Sequence, residues 1–425
     1  MPRMDADIGE GMAGRISCDI LIVGGGLAGS VLGICMARTG AHVLIVEKEA
    51  VFRDRVRGEV LLPWGSVEAK ALGIYDLLLA GCARAVQREI FSFGGEMSEP
   101  RDYPSSTPQG TCALSFFHPD MQEQLLTQAG REGADVRRGA VLKALRPAQR
   151  EGGQPELDID SGDGLQTVSA RILVGADGRE SRVAALLGFT RERDAPELCI
   201  GGLQMAGDLA IEHALYFSLA RQSGRGSILL SNRPGNFRAY LLHHTDALPR
   251  RLSGARDYDA VKQHFAAVGW PKDWLEALQP HGTFATFDGA HQWIARPVRG
   301  NCVLIGDAAG SSDPVWGNGL SRTLRDVRLL RDRLLATSDW SAALAAYAED
   351  HDDAFQRLRR AERLCAKLHF PMADEADAAR LRAYDLIARN PELNPDITGL
   401  GPEARWSAAN EAAILQAMMG PTHRA

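Results

Sequence analysis

The chain lacks most of the features that would assign it to a specialised class. It has seven cysteines, Cys18, Cys35, Cys82, Cys112, Cys199, Cys302 and Cys365, and no CxxC pair. An odd count without metal-ligand spacing argues against a disulfide framework and against zinc, and makes the cytosol the default compartment. There is no excess of positive charge. A net charge of −6 gives no footing for nucleic acid or for an acidic membrane surface. The opening stretch, "MPRMDADIGEGMAGRIS", is acidic and has no apolar core, so it does not read as a signal peptide. Uncharged runs are scarce too. One, Ile20 to Ala37, approaches membrane-spanning length, but its glycine cluster fits a strand, a turn and a helix better, and no membrane span is expected. No internal repeat and no long low-complexity segment occur, and "AQREGGQPELD" reads as a surface hairpin loop. Residue groupings for hydrolysis or metal chemistry are missing as well. His243 and His244 are neighbours in an expected strand and would face opposite ways.

What remains is an ordinary globular composition, 45% hydrophobic and 24% charged. At 425 residues the chain is too long for one core, and two or three domains are expected. The most specific early stretch is "CDILIVGGGLAGSVLGICMARTGAHVLIVEKE". Ile20 to Val23 reads as a buried strand, Gly24, Gly26 and Gly29 form GxGxxG, a helix runs to about Arg38, and Ala41 to Val46 reads as a second strand ending in Glu47 and Lys48. Gly24 permits the tight turn, Gly26 lets a pyrophosphate approach the backbone beside Leu27 and Ala28, and Gly29 with Gly33 allows helix to pack on strand. The helix N-terminus then faces the phosphates. Glu47, 18 residues after Gly29, is placed to accept ribose hydroxyls. The pattern predicts a dinucleotide site without distinguishing NAD from FAD.

Two later stretches complete a pattern. In "ARILVGADGRESRVAALLG" a strand, Ile172 to Val174, runs into Asp177-Gly178 ahead of a helix; in "NCVLIGDAAGSSDPVWGNGLSRTLRDVRLL" an apolar run ends at Gly306-Asp307 and a loop leads into an amphipathic helix. With the first motif, and in this order from about Asp19 to Arg333, the sequence resembles the FAD-dependent aromatic hydroxylases, the single-component flavoprotein monooxygenases of the p-hydroxybenzoate hydroxylase type.

The resemblance implies an α/β protein with a Rossmann-like FAD-binding domain, an inserted antiparallel-sheet substrate domain and C-terminal helices. Residues 15–85, 113–195 and 286–370 would form a discontinuous FAD domain, 86–112 and 196–285 the substrate domain, and 371–425 a helical segment. Asp307 would hold a ribityl hydroxyl of FAD, or act only as an N-cap or turn residue. The loop from Pro314 through Gly317, Asn318, Gly319 and Leu320 would lie beside the isoalloxazine ring. The helix starting there leaves backbone N–H groups unpaired, and its positive end suits the anion of reduced flavin. Arg57 is the best match to a family arginine that contacts FAD and the nicotinamide, with Arg53 and Arg55 as alternatives. Asp177 would help to place FAD or NAD(P)H, or be purely structural. Arg322, Arg325, Arg328 and Arg331 are expected to be solvated or paired with acids.

There are departures. In "FFHPDMQEQLL" His118 occupies the slot of a family arginine, so Gln122 or Gln124 is expected to contribute instead. Trp316 is bulky for the flavin loop and is expected either to shape the substrate pocket or to pack into the core. "WPKDW" is not the tryptophan signature of flavin-dependent halogenases, and no matching lysine is present, so halogenation is not expected. The implied reaction is insertion of one oxygen atom from O₂ into an aromatic or polyketide-like molecule through a flavin C4a-hydroperoxide, with NADPH or NADH as transient reductant, in a monomer or homodimer. The alternatives are an FAD-dependent reductase of the same fold, such as one that saturates isoprenoid double bonds, and a non-catalytic FAD-binding protein.

Overall fold

The computed structural model describes residues 16–420 apart from 149–152, 163, 212, 222, 249, 373–374 and 405–406. Most of the opening stretch and part of the "AQREGGQPELD" loop fall outside the described residues.

The first sheet grows from the glycine-rich unit. Ile16–Val23 pairs in parallel with Val43–Glu47 on one side and with Leu165–Gly175 on the other. Asp135–Arg138 extends the sheet beyond Val43–Glu47, and Cys302–Leu304 pairs in parallel with the end of Leu165–Gly175. The three motifs are far apart in sequence, yet parallel register brings their strand ends, Val23, Gly175 and Leu304, to one edge of the sheet. Ligands bind at such carboxyl ends in open α/β sheets. The strands are continuous apolar runs because helices cover them. Leu27–Ala37 lies on the sheet, and His118–Arg131 and Gly319–Ala336 pack beside it in one core with Ile20, Ile22, Val43 and Ile45.

The second sheet follows the order Gln279–Gly289, Leu198–Ala206, Asn236–His244, Arg225–Arg233, Ala214–Leu219, Arg88–Phe93, Glu96–Met97. It is antiparallel except where Ala214–Leu219 meets Arg88–Phe93. That parallel contact joins the "QREIFSF" stretch to strands more than a hundred residues later. The two-residue alternation of strands splits its side chains between two cores. Leu198, Ile200, Ile228, Leu230, Tyr240 and Leu242 face Val315, Trp316 and Phe370. Leu203, Met205, Leu229, Ala239 and Leu241 face Phe265 and Trp270.

Trp340–His369 ties the two sheets together. Asp339 caps this 30-residue helix by accepting a hydrogen bond from the backbone N–H of Ala342. Its first half buries Leu344 and Tyr347 in the core of the first sheet, and its second half buries Leu358, Ala361 and Cys365 against the second. The helices Ala376–Arg389 and Ala408–Met419 pack on its end through Leu364, Leu368, Ala383 and Ile414. All seven cysteines are unpaired. Among the described residues no helix is long and apolar enough to cross a membrane, and no group of His, Cys, Asp and Glu could hold a metal ion.

Candidate FAD site

The glycine-rich turn is a matter of clearance. Gly24 has φ +108°, and a Cβ there would lie 2.3 Å from the Ala176 carbonyl oxygen. A Cβ on Gly29 would lie 1.9 Å from the Gly24 carbonyl oxygen, so only glycine lets the helix begin this close to the strand. Gly26 is different, since a Cβ there would meet nothing nearer than the Gln122 side-chain nitrogen at 3.7 Å. Its neighbourhood is open enough for an approaching phosphate. Leu27 and Ala28, the first two residues of the helix, are buried. Glu47 accepts a hydrogen bond from the Gly25 N–H at 2.7 Å with one oxygen and from the Glu49 N–H at 2.8 Å with the other. Lys48 is exposed beside it.

Of the two glutamines, Gln122 faces the turn, whereas Gln124 donates to the Leu77 carbonyl and serves the helix packing. The nearby Asp177 carboxylate is committed to the short helix Arg182–Leu186. One oxygen accepts from the Ser181 hydroxyl at 2.5 Å, and the other accepts from the N–H groups of Arg182 and Val183 at 2.7 and 3.1 Å.

Asp307 lies just beyond the strand Cys302–Leu304, partly exposed. Its partner is Arg322, whose guanidinium donates to it at 3.1 Å and to Asp326 at 3.0 Å. Asp326 also accepts from the Gly306 N–H and pairs with His351. Burial works against its charge, but His351 and Arg322 hold the Asp326 carboxyl below its usual range. Arg322 thus pairs with acids, as expected, yet inside the protein, with its side chain 4% exposed. Arg325 and Arg328 likewise converge on the buried Glu68.

The loop after Asp307 is held from behind. Asp313 accepts from the Val315 N–H, and the helix Gly319–Ala336 starts after Asn318 without a side-chain cap, leaving its first N–H groups uncommitted to any side chain. Asn318 is fully buried; it accepts from the Trp64 indole at 3.0 Å and donates to Glu362 at 2.8 Å. Glu362 in turn pairs with His291 at 2.7 Å. Desolvation pushes the Asp313 carboxyl up to about 7. Pro314 opens a single 3₁₀ turn with Val315 and Trp316, and Gly317 follows with φ +68°. Trp316 is buried against Phe370 and His369, at ring-centroid distances of 5.9 and 6.0 Å. A Cβ on Gly319 would meet nothing within 4 Å, and Leu320 is only partly buried, 3.8 Å from where a Cβ of Gly58 would stand.

Arg57 is exposed next to Gly58, so the fold brings it to the same loop as Leu320. His118 begins the helix His118–Arg131 with its Nδ1 2.9 Å from the Gly58 carbonyl. Desolvation, aided by the charge of Arg57, lowers the imidazole to about 4 and leaves it neutral. Sequence reasoning did not single out Glu59, Arg238, Tyr240, Glu362 or His291. The one available signal was a charge on an apolar face: Glu362 sits on the stripe of Leu358, Ala361 and Cys365.

Glycine clearances, an acid at the end of the second strand and an uncapped helix start all surround one strand edge. These residues fit FAD. The chain matches the FAD binding domain family over residues 17–363. It is 28% identical to a ubiquinone hydroxylase of Rhodospirillum rubrum, over 77% of this chain and 74% of that protein. It is 27% identical to a menaquinone reductase of Mycolicibacterium smegmatis, over 78% and 80% respectively. Among solved structures it resembles p-nitrophenol 4-monooxygenase of Pseudomonas putida, with a TM-score of 0.76 and 16% identity over 92% of this chain and all of that one. It also resembles an aklavinone-11 hydroxylase in complex with FAD and aklavinone, with a TM-score of 0.69 and 21% identity over 85% of this chain and 70% of that one. The chain belongs to the FAD binding domain family, with the fold of the p-hydroxybenzoate hydroxylase type, and is an FAD-dependent oxidoreductase.

Proposed function

We propose that this protein is a monooxygenase that uses NADPH or NADH to place one oxygen atom from O₂ on an aromatic or polyketide-like small molecule. The observation that carries the reading is the packing of Val315 and Trp316, in the loop before Gly319, against the apolar sheet face that bears Ile200, Ile228 and Tyr240. A substrate bound beside this closed seam of loop and sheet would be shielded from water on that side, which a reactive oxygen donor requires. The aromatic substrate class is carried over from the hydroxylases among the relatives.

Bound FAD would supply hydride acceptance and oxygen activation; the protein supplies placement and electrostatics. Gly24, Gly26, Leu27, Ala28 and Gly29 would receive the pyrophosphate, with Gln122 beside it. Glu47 would bind the ribose, with Lys48 adjacent. Asp307 would take a ribityl hydroxyl, its carboxylate held in place by Arg322. The uncapped helix start at Gly317, Asn318, Gly319 and Leu320 would favour negative charge on the ring. Arg57 would meet the nicotinamide nucleotide. Asp177 would act through the short helix it caps. The first sheet and its helices would form the FAD domain in the three segments given above, and the second sheet the substrate domain. Unpaired cysteines favour the cytosol.

A second reading, reduction of an isoprenoid double bond without O₂, is favoured by the similarity to menaquinone reductases. Isotopically labelled O₂ separates the two. FAD-loaded protein supplied with NADPH or NADH and candidate phenols, quinones and polyketides should yield product carrying one labelled oxygen. Unlabelled, saturated product formed equally well under anaerobic conditions would establish the reductase instead.

A further inference from the structure

Val56 has φ +52° although it is β-branched and buried. A non-glycine residue in this region is strained and persists only where its surroundings over-determine it. Here they do. The Asp54 carboxylate accepts from the Val56 N–H at 2.9 Å and from the Arg238 guanidinium at 2.9 Å. Tyr240 donates its hydroxyl to the Arg57 carbonyl at 2.8 Å. His118 holds the Gly58 carbonyl, and the buried Glu59 accepts from Arg238 and Asn232. The Val56 side chain fits because Gly202 has none: a Cβ there would stand 2.5 Å from Val56 Cγ1. Gly202 and Tyr240 are directly paired across neighbouring strands of the second sheet, and Arg238 lies two residues before Tyr240 on the same strand.

The segment carrying Arg57 is therefore shaped by the sheet as well as by its own Asp54 turn. Tyr240 also belongs to the apolar sheet face that meets Val315 and Trp316. Its phenol is held protonated by burial, well above the usual range, so it remains a donor. We propose that Tyr240 is a positioning residue for the reductant half of the reaction, acting through the backbone of Arg57. This rests on the reading of Arg57 as the nicotinamide contact.

The test is anaerobic stopped-flow reduction of FAD-loaded protein by NADPH and NADH, with dithionite as a reductant that needs no docking. Y240F removes one hydrogen bond and strands no buried charge, whereas an Arg238 variant would leave Glu59 unpaired and threaten folding. Y240F should keep full FAD content and the wild-type dithionite rate while reduction by the nucleotide slows roughly tenfold, the worth of one hydrogen bond to a positioned group. R57A should be slower still, and R57A/Y240F should match R57A, because a residue that acts through another adds nothing once that other is gone. Wild-type nucleotide kinetics in Y240F, or multiplying effects in the double variant, would overturn the inference while leaving the monooxygenase reading intact. A wild-type protein that holds FAD but is reduced by neither nucleotide would overturn both.

Discussion

Arg322 stands with its guanidinium 3.1 Å from the Asp307 carboxylate and 3.0 Å from that of Asp326, almost wholly removed from solvent. Asp307 is the exposed end of this chain of charge. Arg322 aims that carboxylate, and Asp326, itself paired with His351, binds Arg322 from behind. A side chain read from sequence as one of four arginines either solvated or paired with acids is thus the support for a candidate cofactor ligand.

Asp307→Ala should weaken FAD binding by roughly one to two orders of magnitude, the loss of a hydrogen bond to a charged group of about 1.5–3 kcal/mol. Flavin absorbance retained after desalting reports it; unchanged retention would remove Asp307 from the site.

Arg322→Met leaves Asp326 buried with one cation fewer. Breaking a buried pair from one side costs about 3–5 kcal/mol. Denaturant unfolding of the FAD-free protein should register that loss, and Asp307→Ala should show much less of it.

Gly29→Ala places a methyl group where the Gly24 carbonyl oxygen already stands. The helix Leu27–Ala37 must shift, at a cost of about 1–3 kcal/mol for overpacking, and FAD content should fall with it. Gly319→Ala meets no such obstacle in the protein. Its effect should appear in flavin binding and potential but not in the stability of the FAD-free chain.

Asp313 gives a pH signature. Its folded carboxyl titrates near 7, above the ordinary 3.8, because burial opposes its charge. The neutral form is favoured by folding, so its contribution is fully present below about pH 4 and is lost as pH rises through 7. His291, raised by Glu362 against the effect of burial, acts in the same direction. Stability should therefore fall between pH 4 and pH 8 by on the order of 4 kcal/mol from Asp313 as an upper figure. Asp313→Asn should flatten this slope in chemical-denaturation series. An unchanged slope would show that Asp313 is not the group responsible.

The sequence by itself determined the local units. Glycine spacing, apolar runs and terminal acids identify strand-turn-helix pieces because steric clearance and burial act over a few residues, and the resemblance set their order. That is why Gly24 and Gly29 could be placed at the tight turn, and Glu47 at the end of the second strand, before the fold was known. The tertiary structure decided what joins across the chain. It chose Gln122 over Gln124 to face the turn, since only helix packing tells which side of His118–Arg131 meets Gly26. It committed Asp177 to a cap and took Arg322 indoors. It also set Tyr240 on Arg57, and His291 with Glu362 behind Asn318. These last contacts, on Arg57 and behind Asn318, link residues 44 to 183 positions apart. Their energies come from desolvated charge and hydrogen bonding in low dielectric, and a buried charge looks like a surface charge in a sequence until the partner that neutralises it is brought alongside.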